Sequence, residues 1–458
     1  MTRYIRHWSV FSILACTLIA VALPRSADAQ MTARQLLSTS VEKYDAKYAQ
    51  ANQAIAVFRK GDAAGAREVL AELKEQHPEI APPDVLLAML HLAVKQRSQA
   101  EAALEQATLQ YPEDAEAFVM LAEITLRERR PMVAELAYHR AQEKLKSVTS
   151  DAWRVKRLRI RAHAGLASLA ESRKQYDQAL SHLQAWLKLD EKNPVVFGSL
   201  GRVHFQRSDY AAARAAFKDL IRVEPEAPPV EIAMGRLFSD AGMKEEALQS
   251  MKTALKADGK DTRTLLTVAE WAISNGHLEL ARSNLEAVVK LDPDSVGAQV
   301  LSGRARRYEG DNRRAEEILT AAILKSPNEF AVSNELARVL AVSESEDQRK
   351  AGLAYAKRNH SRYRNPTTSA GREATMTYAW LLLKNDQAKQ AEAVLLRLPD
   401  ASAVSSENAY YAARIYNALG RKKLAAHALR AVLASGTHFP ERKQAERLLK
   451  ELETSDSD

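Results

Sequence analysis

Apolar residues in the stretch LGRVHFQRSDYAAARAAFKDLIRVEP, residues 200–225, recur at spacings of three and four. This spacing places them on one face of an α-helix and predicts two consecutive helices. The stripe of the first helix is Phe197, Leu200, Gly201 and His204, and that of the second is Ala213, Phe217 and Leu220. Because proline lacks the backbone N–H that a helix interior needs, Pro225 predicts the end of the second helix.

The smallest residues of this pattern repeat at a fixed interval along the sequence. Gly201 and Gly235 are one interval apart. They are Gly201, Gly235 and Gly303 in first helices and Ala213, Ala247, Ala281 and Ala315 in second helices, with Ala269 once in the glycine position. A glycine inside a helix costs about 1 kcal/mol relative to alanine, so its return predicts a packing role. Two helix backbones can approach closely where both side chains are small. A larger residue at Ala213 or Ala281 is expected to overpack this contact, at a cost of about 1 to 3 kcal/mol.

The interval extends in both directions along the chain. It separates Ala66, Ala100 and Ala134 upstream, and it separates Ala391 and Ala425 downstream. The pattern predicts ten or eleven helix-turn-helix units between about residues 46 and 435. The predicted segments are a signal peptide (1–29), N-terminal units (30–146), an irregular unit (147–193), four regular units (194–328), C-terminal units with a long basic loop (329–435), a capping helix (436–454) and a disordered tail (455–458).

The eight positions from Phe197 to Pro225 resemble the tetratricopeptide repeat, a helix-turn-helix unit whose length matches the interval in this chain. Six of the eight agree in residue type, while His204 replaces the usual tyrosine and Leu220 the second alanine. The resemblance implies an all-α protein, a right-handed superhelical solenoid of stacked helix-turn-helix units. It also implies that the first helices line a concave groove, where ligands of this family usually lie.

One column of residues follows the glycine position of the first helices. Its members are Arg202, Arg236, Glu270, Arg304, Arg338 and Arg414. Guanidinium groups at regular intervals suit a partner with regularly spaced carboxylates, sulfates or phosphates, because each such group accepts a bidentate hydrogen-bonded pair. One turn earlier stands a mostly apolar strip, Gly198, Ile232, Leu266 and Val300. The alternative is that the arginines pair with glutamates of adjacent helices and hold the helices together.

Composition favours helices throughout, since only 16 glycines and 15 prolines interrupt 458 residues. The formal net charge is +8, of which residues 1–29 carry +2. For an exported basic protein, acidic proteins or anionic polysaccharides are the expected partners, and nucleic acid is not.

The N-terminus predicts export. Arg3 and Arg6 precede an apolar run of residues 9–23, and Ala27-Asp28-Ala29 matches a small-x-small cleavage site. We expect cleavage after Ala29 and a mature chain in the periplasm or cell envelope without a transmembrane segment. An uncleaved anchor, or lipidation at Cys16, is the alternative.

No catalytic motif is present in the sequence. It contains no His-Glu-x-x-His zinc motif, no Gly-x-Ser-x-Gly elbow and no glycine-rich phosphate loop. Cys16 is the sole cysteine, so the mature chain has no thiol chemistry. The histidines do not cluster along the sequence. We expect His204 to be a packing residue between helices and His360 to be exposed. We therefore predict a protein that is not an enzyme and needs neither metal nor cofactor.

Two basic segments leave alternatives open. Residues 341–373, which hold seven arginines and lysines from Arg349 to Arg372, are interpreted as a long loop with solvated charges or as a basic contact patch. Residues 153–161, WRVKRLRIR, are interpreted as a helix with a solvated basic face or as a ligand site.

The C-terminal sequence AYYAARIYNALGRKKLAAHALRAVL, followed by FPERKQAERLLKEL, resembles the ends of secreted bacterial tetratricopeptide proteins, some linked to exopolysaccharide production. The sequence as a whole predicts an exported scaffold that binds a protein or acidic peptide through its groove. An adaptor for an anionic polysaccharide is the alternative function.

Overall fold

A computed structural model describes residues 31–148, 152–398 and 405–454, and these residues form α-helices joined by short connections. The helices are α1 (Ala33–Leu36), α2 (Gln50–Arg59), α3 (Ala63–Gln76), α4 (Pro83–Ala93), α5 (Arg97–Gln110), α6 (Ala115–Arg127), α7 (Pro131–Lys146), α8 (Trp153–Ser172), α9 (Tyr176–Leu189), α10 (Pro194–Gln206), α11 (Tyr210–Val223), α12 (Val230–Asp240), α13 (Lys244–Asp258), α14 (Thr262–Ser274), α15 (Leu278–Leu291), α16 (Val296–Tyr308), α17 (Asn312–Lys325), α18 (Phe330–Leu340), α19 (Glu346–Arg362), α20 (Ser369–Lys384), α21 (Ala388–Leu395), α22 (Ser406–Ala418), α23 (Lys422–Ala434) and α24 (Arg442–Thr454). The predicted all-α class is confirmed.

The described helices pack as consecutive antiparallel pairs within two compact units, which meet in sequence at Pro228 and Pro229. The unit up to Pro228 contains five pairs, from α2 with α3 to α10 with α11. The unit from Pro229 contains six pairs, from α12 with α13 to α22 with α23, and α24 packs on α23. In this second unit each first helix also contacts the next first helix, so α12, α14, α16, α18, α20 and α22 form one layer.

Small residues bring the two helices of a pair together. A Cβ atom added to Gly201 would lie 2.5 Å from the Phe217 ring, and one added to Gly303 would lie 2.6 Å from Leu319. At Gly235 the same atom would lie 2.9 Å from the end of the Met251 side chain. On the second helices, Ala213, Ala247, Ala281 and Ala315 are all fully buried. The large side chains therefore occupy the space that the glycines leave empty.

The turn within a pair also repeats. In the described residues of ten pairs, the residue that ends this turn has a positive φ, between 60° and 91°. These residues are Gly61, Lys95, Arg129, Lys174, Ser208, Gly242, Gly276, Gly310, Asp386 and Gly420. The left-handed conformation reverses the direction of the chain. N–H groups of the turn then donate hydrogen bonds to the last carbonyl oxygens of the first helix, as Met243 N donates to Phe238 O at 2.9 Å.

The connection between α18 and α19 departs from this pattern. The sequence AGLAYAKRNH, residues 351–360, is helical as its pattern predicts, but the prediction of a long basic loop over residues 341–373 is wrong. Most of residues 341–373 is helical, because α19 covers Glu346–Arg362 and α20 begins at Ser369. The helix forms because Gly352, Ala356 and Asn359 repeat at helical spacing and are buried, while the charged residues lie on the opposite face.

Short segments cover the ends of the units. Near the N-terminus, Leu36 and Leu37 are fully buried, and the Ser40 hydroxyl accepts a hydrogen bond from Ala81 N at 2.9 Å. Near the C-terminus, α24 begins at Arg442, and an extended segment precedes it. No described helix combines the length and the apolar character needed to cross a membrane. The predicted signal peptide with Cys16 and the predicted tail, residues 455–458, lie outside the described residues.

The packing at Gly201 generates a test with a control in the same helix. We expect Gly201→Ala to lower the free energy of unfolding by about 1 to 3 kcal/mol, because the new methyl group collides with the Phe217 ring. Gly198→Ala should be neutral or stabilising by up to about 1 kcal/mol, since the nearest atom to its new methyl lies 3.9 Å away. Urea unfolding followed by circular dichroism measures both. Equal effects of the two substitutions would contradict the packing role.

Candidate functional site

The structure places the six predicted groove residues on first helices of their pairs. Arg202 lies on α10, Arg236 on α12, Glu270 on α14, Arg304 on α16, Arg338 on α18 and Arg414 on α22. The apolar strip beside them is partly closed, because Ile232 and Val300 are buried. The strip therefore does not form the open apolar surface that the sequence predicts.

Three of the arginines form ion pairs with glutamates of neighbouring first helices. Arg202 Nε lies 3.3 Å from Glu171 Oε1, and its side chain also donates to the Ser199 hydroxyl at 3.0 Å. Arg304 Nε lies 3.2 Å from Glu335 Oε2. The third is Arg338. For these residues the geometry favours the internal pairing that the sequence left as an alternative.

Arg338 is the most deeply enclosed member of the column. Its side chain is 5% exposed and forms an ion pair with Glu373 on α20. It also donates hydrogen bonds to Thr377 Oγ1 at 3.1 Å and to Asn408 Oδ1 at 3.0 Å. A guanidinium with this many buried partners is not presented to a ligand.

Arg338 belongs to a buried ion cluster that also contains Arg307, Glu335 and Glu407. Arg307 Nε donates to Glu335 Oε1 at 2.8 Å, and its other nitrogens bind both oxygens of Glu407. Arg307 lies on α16 and Glu407 on α22, 100 residues apart. The cluster thus joins three first helices, α16, α18 and α22, and the ion pair of Arg338 with Glu373 links it to α20.

The cluster controls the ionisation of its carboxyl groups. Burial alone would raise the pKa of Glu407, but Arg307 and Arg338 lower that pKa to about 2. Burial also opposes ionisation of Glu335, and Arg307 and Arg304 lower its pKa below the ordinary value. Both carboxylates are therefore ionised and neutralised by arginines at neutral pH.

An extended segment, residues 436–441, lies against the same face. His438 N donates to Ser274 O on α14 at 2.9 Å, and the His438 ring lies 5.7 Å from the ring of Tyr308 on α16. Phe439 is buried beside Tyr410 on α22. The segment covers part of the surface that the first helices were expected to leave open.

Glu441 ends this segment beside the ion cluster but gains no cation of its own. Its Oε2 atom is buried and has no hydrogen-bond partner in the described residues. Burial raises the pKa of Glu441, and the nearby negative charge of Glu407 raises it further, to about 7, although Arg307 opposes this.

Arg236 differs from Arg202, Arg304 and Arg338. Its side chain is half-buried, yet no carboxylate of the described residues lies within ion-pair distance of it. Burial lowers the pKa of Arg236, while Glu270 and Asp240 attract the charge from a longer distance. Glu270 is itself largely exposed, 3.8 Å from Arg304. Arg236 therefore retains hydrogen-bonding capacity for an external partner.

Arg414 also retains unpaired charge. Its Nη1 atom donates to the Tyr410 hydroxyl at 3.0 Å, and the rest of the guanidinium lines a cavity of about 350 Å³. Arg349 and Lys384 line the same cavity. The ligand-binding role of the column stays a prediction, and the geometry directs it to Arg236 and Arg414.

Residues 153–161 are helical, as one interpretation expects, but their basic face is only partly solvated. Arg161 on α8 is 1% exposed and binds Glu123 on α6 with Nε 2.8 Å from Oε1. Arg154 lies 2.8 Å from Glu116, which is fully buried. The signal for this cluster was in the sequence of α6, where Glu116 and Glu123 occupy the otherwise apolar run AEAFVMLAEI.

Two predictions about histidines are also wrong. His163 and His182 meet across α8 and α9 with their Nδ1 atoms 3.2 Å apart, although they are distant in sequence. Burial, together with the smaller effects of His182 and Arg159, lowers the pKa of His163 to about 4. His360 is half-buried and stacks on Tyr378 with ring centroids 5.1 Å apart, because α19 and α20 pack there. His204 is half-buried, and burial lowers its pKa.

Residues 85–147 and 199–262 match the family model of the tetratricopeptide repeat. These two segments are tetratricopeptide repeats. The matched segments begin in α4 and α10 respectively, and the repeated turn and small residues continue the same hairpin in other pairs. Proteins of this family are generally non-catalytic interaction scaffolds.

Individual proteins that are similar to this chain match it at low identity. The general transcriptional corepressor trfA of Dictyostelium discoideum is 26% identical over 121 residues, which cover 26% of this chain and 9% of that protein. Yeast Tom70 matches 90% of this chain and 96% of its own at 13% identity and a TM-score of 0.40. Pseudomonas aeruginosa pilF matches 47% of this chain and 93% of its own at 23% identity and a TM-score of 0.31.

The ion cluster generates a stability test. We expect Arg307→Met to lower the free energy of unfolding by about 3 to 5 kcal/mol, because it leaves Glu335 and Glu407 buried with too few cations. Arg313→Met removes the same charge from α17, where the side chain is 89% exposed, and should change stability by at most about 0.5 kcal/mol. Urea unfolding at pH 7 measures both. A loss below about 1 kcal/mol in Arg307→Met would contradict the structural role of the cluster.

Glu441 predicts a pH-dependent difference. Its pKa in the folded protein, about 7, lies above the ordinary carboxyl value, so its favourable contribution is complete at low pH and is lost as the pH rises through 7. Glu441→Gln should therefore nearly match the parent protein at pH 4 and be more stable by about 1 to 3 kcal/mol at pH 8. Glu451→Gln, an exposed change in the helix that follows Glu441, should show no such pH-dependent difference. Urea unfolding at the two pH values measures the free energy of unfolding of each protein. A difference in this free energy between Glu441→Gln and the parent that is the same at both pH values would exclude the predicted effect.

Proposed function

We propose that this tetratricopeptide repeat protein is an exported scaffold that binds an acidic segment of a partner protein. The observation that carries the proposal is the position of Arg236, a half-buried arginine on a first helix with no ion-pair partner among the described residues. Arginines at equivalent positions, such as Arg304 and Arg338, are neutralised by glutamates. A carboxylate beside Arg236 would neutralise its charge, and the described residues provide no carboxylate within ion-pair distance.

The chemistry of the site favours a carboxylate of a flexible peptide. Removing part of the water around Arg236 makes its charge costly, and an incoming carboxylate can accept two parallel hydrogen bonds from the guanidinium. The basic mature chain also attracts acidic partners from a distance, an effect that salt weakens. Export to the periplasm or cell envelope is the part of the proposal that the N-terminal sequence supports.

A peptide-binding measurement tests the proposal. The probe is fluorescein-labelled hexaglutamate, added to the purified chain from Gln30 to Asp458, with binding followed by fluorescence anisotropy. We expect measurable binding that weakens with added salt, and a loss of about tenfold or more in Arg236→Ala, the equivalent of a hydrogen bond to a charged group.

The control separates a specific contact from an effect of net charge. Arg313→Ala removes one positive charge at an exposed position of α17 and should leave the affinity nearly unchanged. Equal affinities of Arg236→Ala and the parent would reject Arg236 as the contact. Alginate serves as a polymer probe, and tighter binding of alginate than of hexaglutamate would favour the polysaccharide adaptor instead.

A further inference from the structure

A second cationic site lies in the unit from Pro229, at the ends of three helix pairs. A cavity of about 350 Å³ opens between the α18–α19 connection and the C-terminal ends of α20 and α22. It is lined by Ser343, Arg349, Leu383, Lys384, Asp386, Arg414, Asn417 and Ala418. This volume is within the range of sites that hold small ligands or single side chains of a partner.

The cavity has an excess of positive charge. Three lining residues, Arg349, Lys384 and Arg414, are cations, and Asp386 is the one acidic residue among the lining residues. The net charge of this lining is therefore +2. In the described part of the chain none of the three cations lies within ion-pair distance of a carboxylate.

Each cation is held by a neutral group instead. Arg349 Nη1 donates to the backbone oxygens of Ser343 at 2.9 Å and Glu344 at 2.8 Å. Arg414 donates to the Tyr410 hydroxyl, and Lys384 Nζ lies 5.3 Å from the centroid of the Trp380 ring. These contacts orient the three groups but do not neutralise them.

Burial and the neighbouring positive charges both act on Lys384. Burial lowers the pKa of its ammonium group, and the charges of Arg414 and Arg349 lower it further, while Glu441 partly opposes them. An ammonium group in this position is stabilised by any anion that enters the cavity. A bound anion would therefore balance positive charge in the cavity.

We propose that this cavity binds carboxylate groups of the partner's acidic segment, with Lys384 and Arg414 as their principal contacts. This inference rests on the proposed function, because it names a second contact of the same partner. Two carboxylates balance the net charge of the lining, and guanidinium groups match carboxylates in geometry. Adjacent acidic side chains of one peptide segment meet both requirements.

The experiment uses citrate as a small carboxylate probe and isothermal titration calorimetry on the chain from Gln30 to Asp458. We expect citrate to bind the parent protein, and Lys384→Met to weaken this binding about tenfold or more. Lys389→Met is the matched control, because it removes the same charge from an exposed position on α21 and should bind citrate like the parent. Identical citrate affinities of Lys384→Met and Lys389→Met would overturn the inference.

A second measurement avoids any loss of folding in the variant. Reductive methylation with ¹³C-formaldehyde labels Lys384 in the parent protein, and its NMR signal is assigned by comparison with Lys384→Arg. Saturating citrate should raise the pKa of Lys384, because a bound carboxylate favours the charged ammonium. A titration curve that citrate does not shift would overturn the inference.

The failures of the two proposals differ. Citrate binding that depends on Lys384, without any binding of hexaglutamate, would retain the cavity as a carboxylate site and remove the proposed function. Hexaglutamate binding that falls in Arg236→Ala but not in Lys384→Met would retain the proposed function and exclude the cavity from the partner's contact. A loss of hexaglutamate affinity in both variants supports both.

Discussion

The close approach of paired helices at very small residues is the constraint on which the rest of the structure depends. At Gly201 the space of one missing methyl group is filled by the Phe217 ring, and at Gly303 by Leu319. The facing alanines, such as Ala213, are fully buried. The left-handed turn that joins the two helices also recurs from pair to pair. In the unit from Pro229, the first helices of successive pairs therefore contact one another and form one layer. The register of that layer places Arg304, Arg338 and their glutamates within reach of each other.

Buried ion pairs then decide how much of the inner face remains available. Arg307 forms ion pairs with glutamates of two other helices, and Arg338 forms an ion pair with a third glutamate. The charges of these arginines are therefore neutralised within the protein. Removing a guanidinium from water is costly, and only several well-placed acceptors compensate for that cost. The extended segment before α24 adds Phe439 to the same surface. The layer of first helices in this unit is therefore partly a second core.

Some positive charge on and beside the first helices remains without an ion pair after this pairing. Arg236 has no ion pair among the described residues, and Arg349, Lys384 and Arg414 share one cavity. Both sites provide desolvated cations with unused donors, and both suit carboxylates. The protein thus combines a neutralised interior with selected unneutralised positions, and those positions define the proposed partner.

The sequence by itself determined the all-α class, the paired helices and the regular interval between them, because helix packing acts between near neighbours and leaves a periodic trace. It also identified the column of arginines, since position within a repeat follows from the period. It could not decide which arginines were paired. The partners of Arg307 and Arg338 lie up to 100 residues away, on helices brought together by the stacking of several pairs. The same holds for the contact of His163 with His182 and for the cavity beside Lys384. These contacts required the tertiary structure, because the stacking of several pairs sets which distant side chains meet, and no local spacing in the sequence records that stacking.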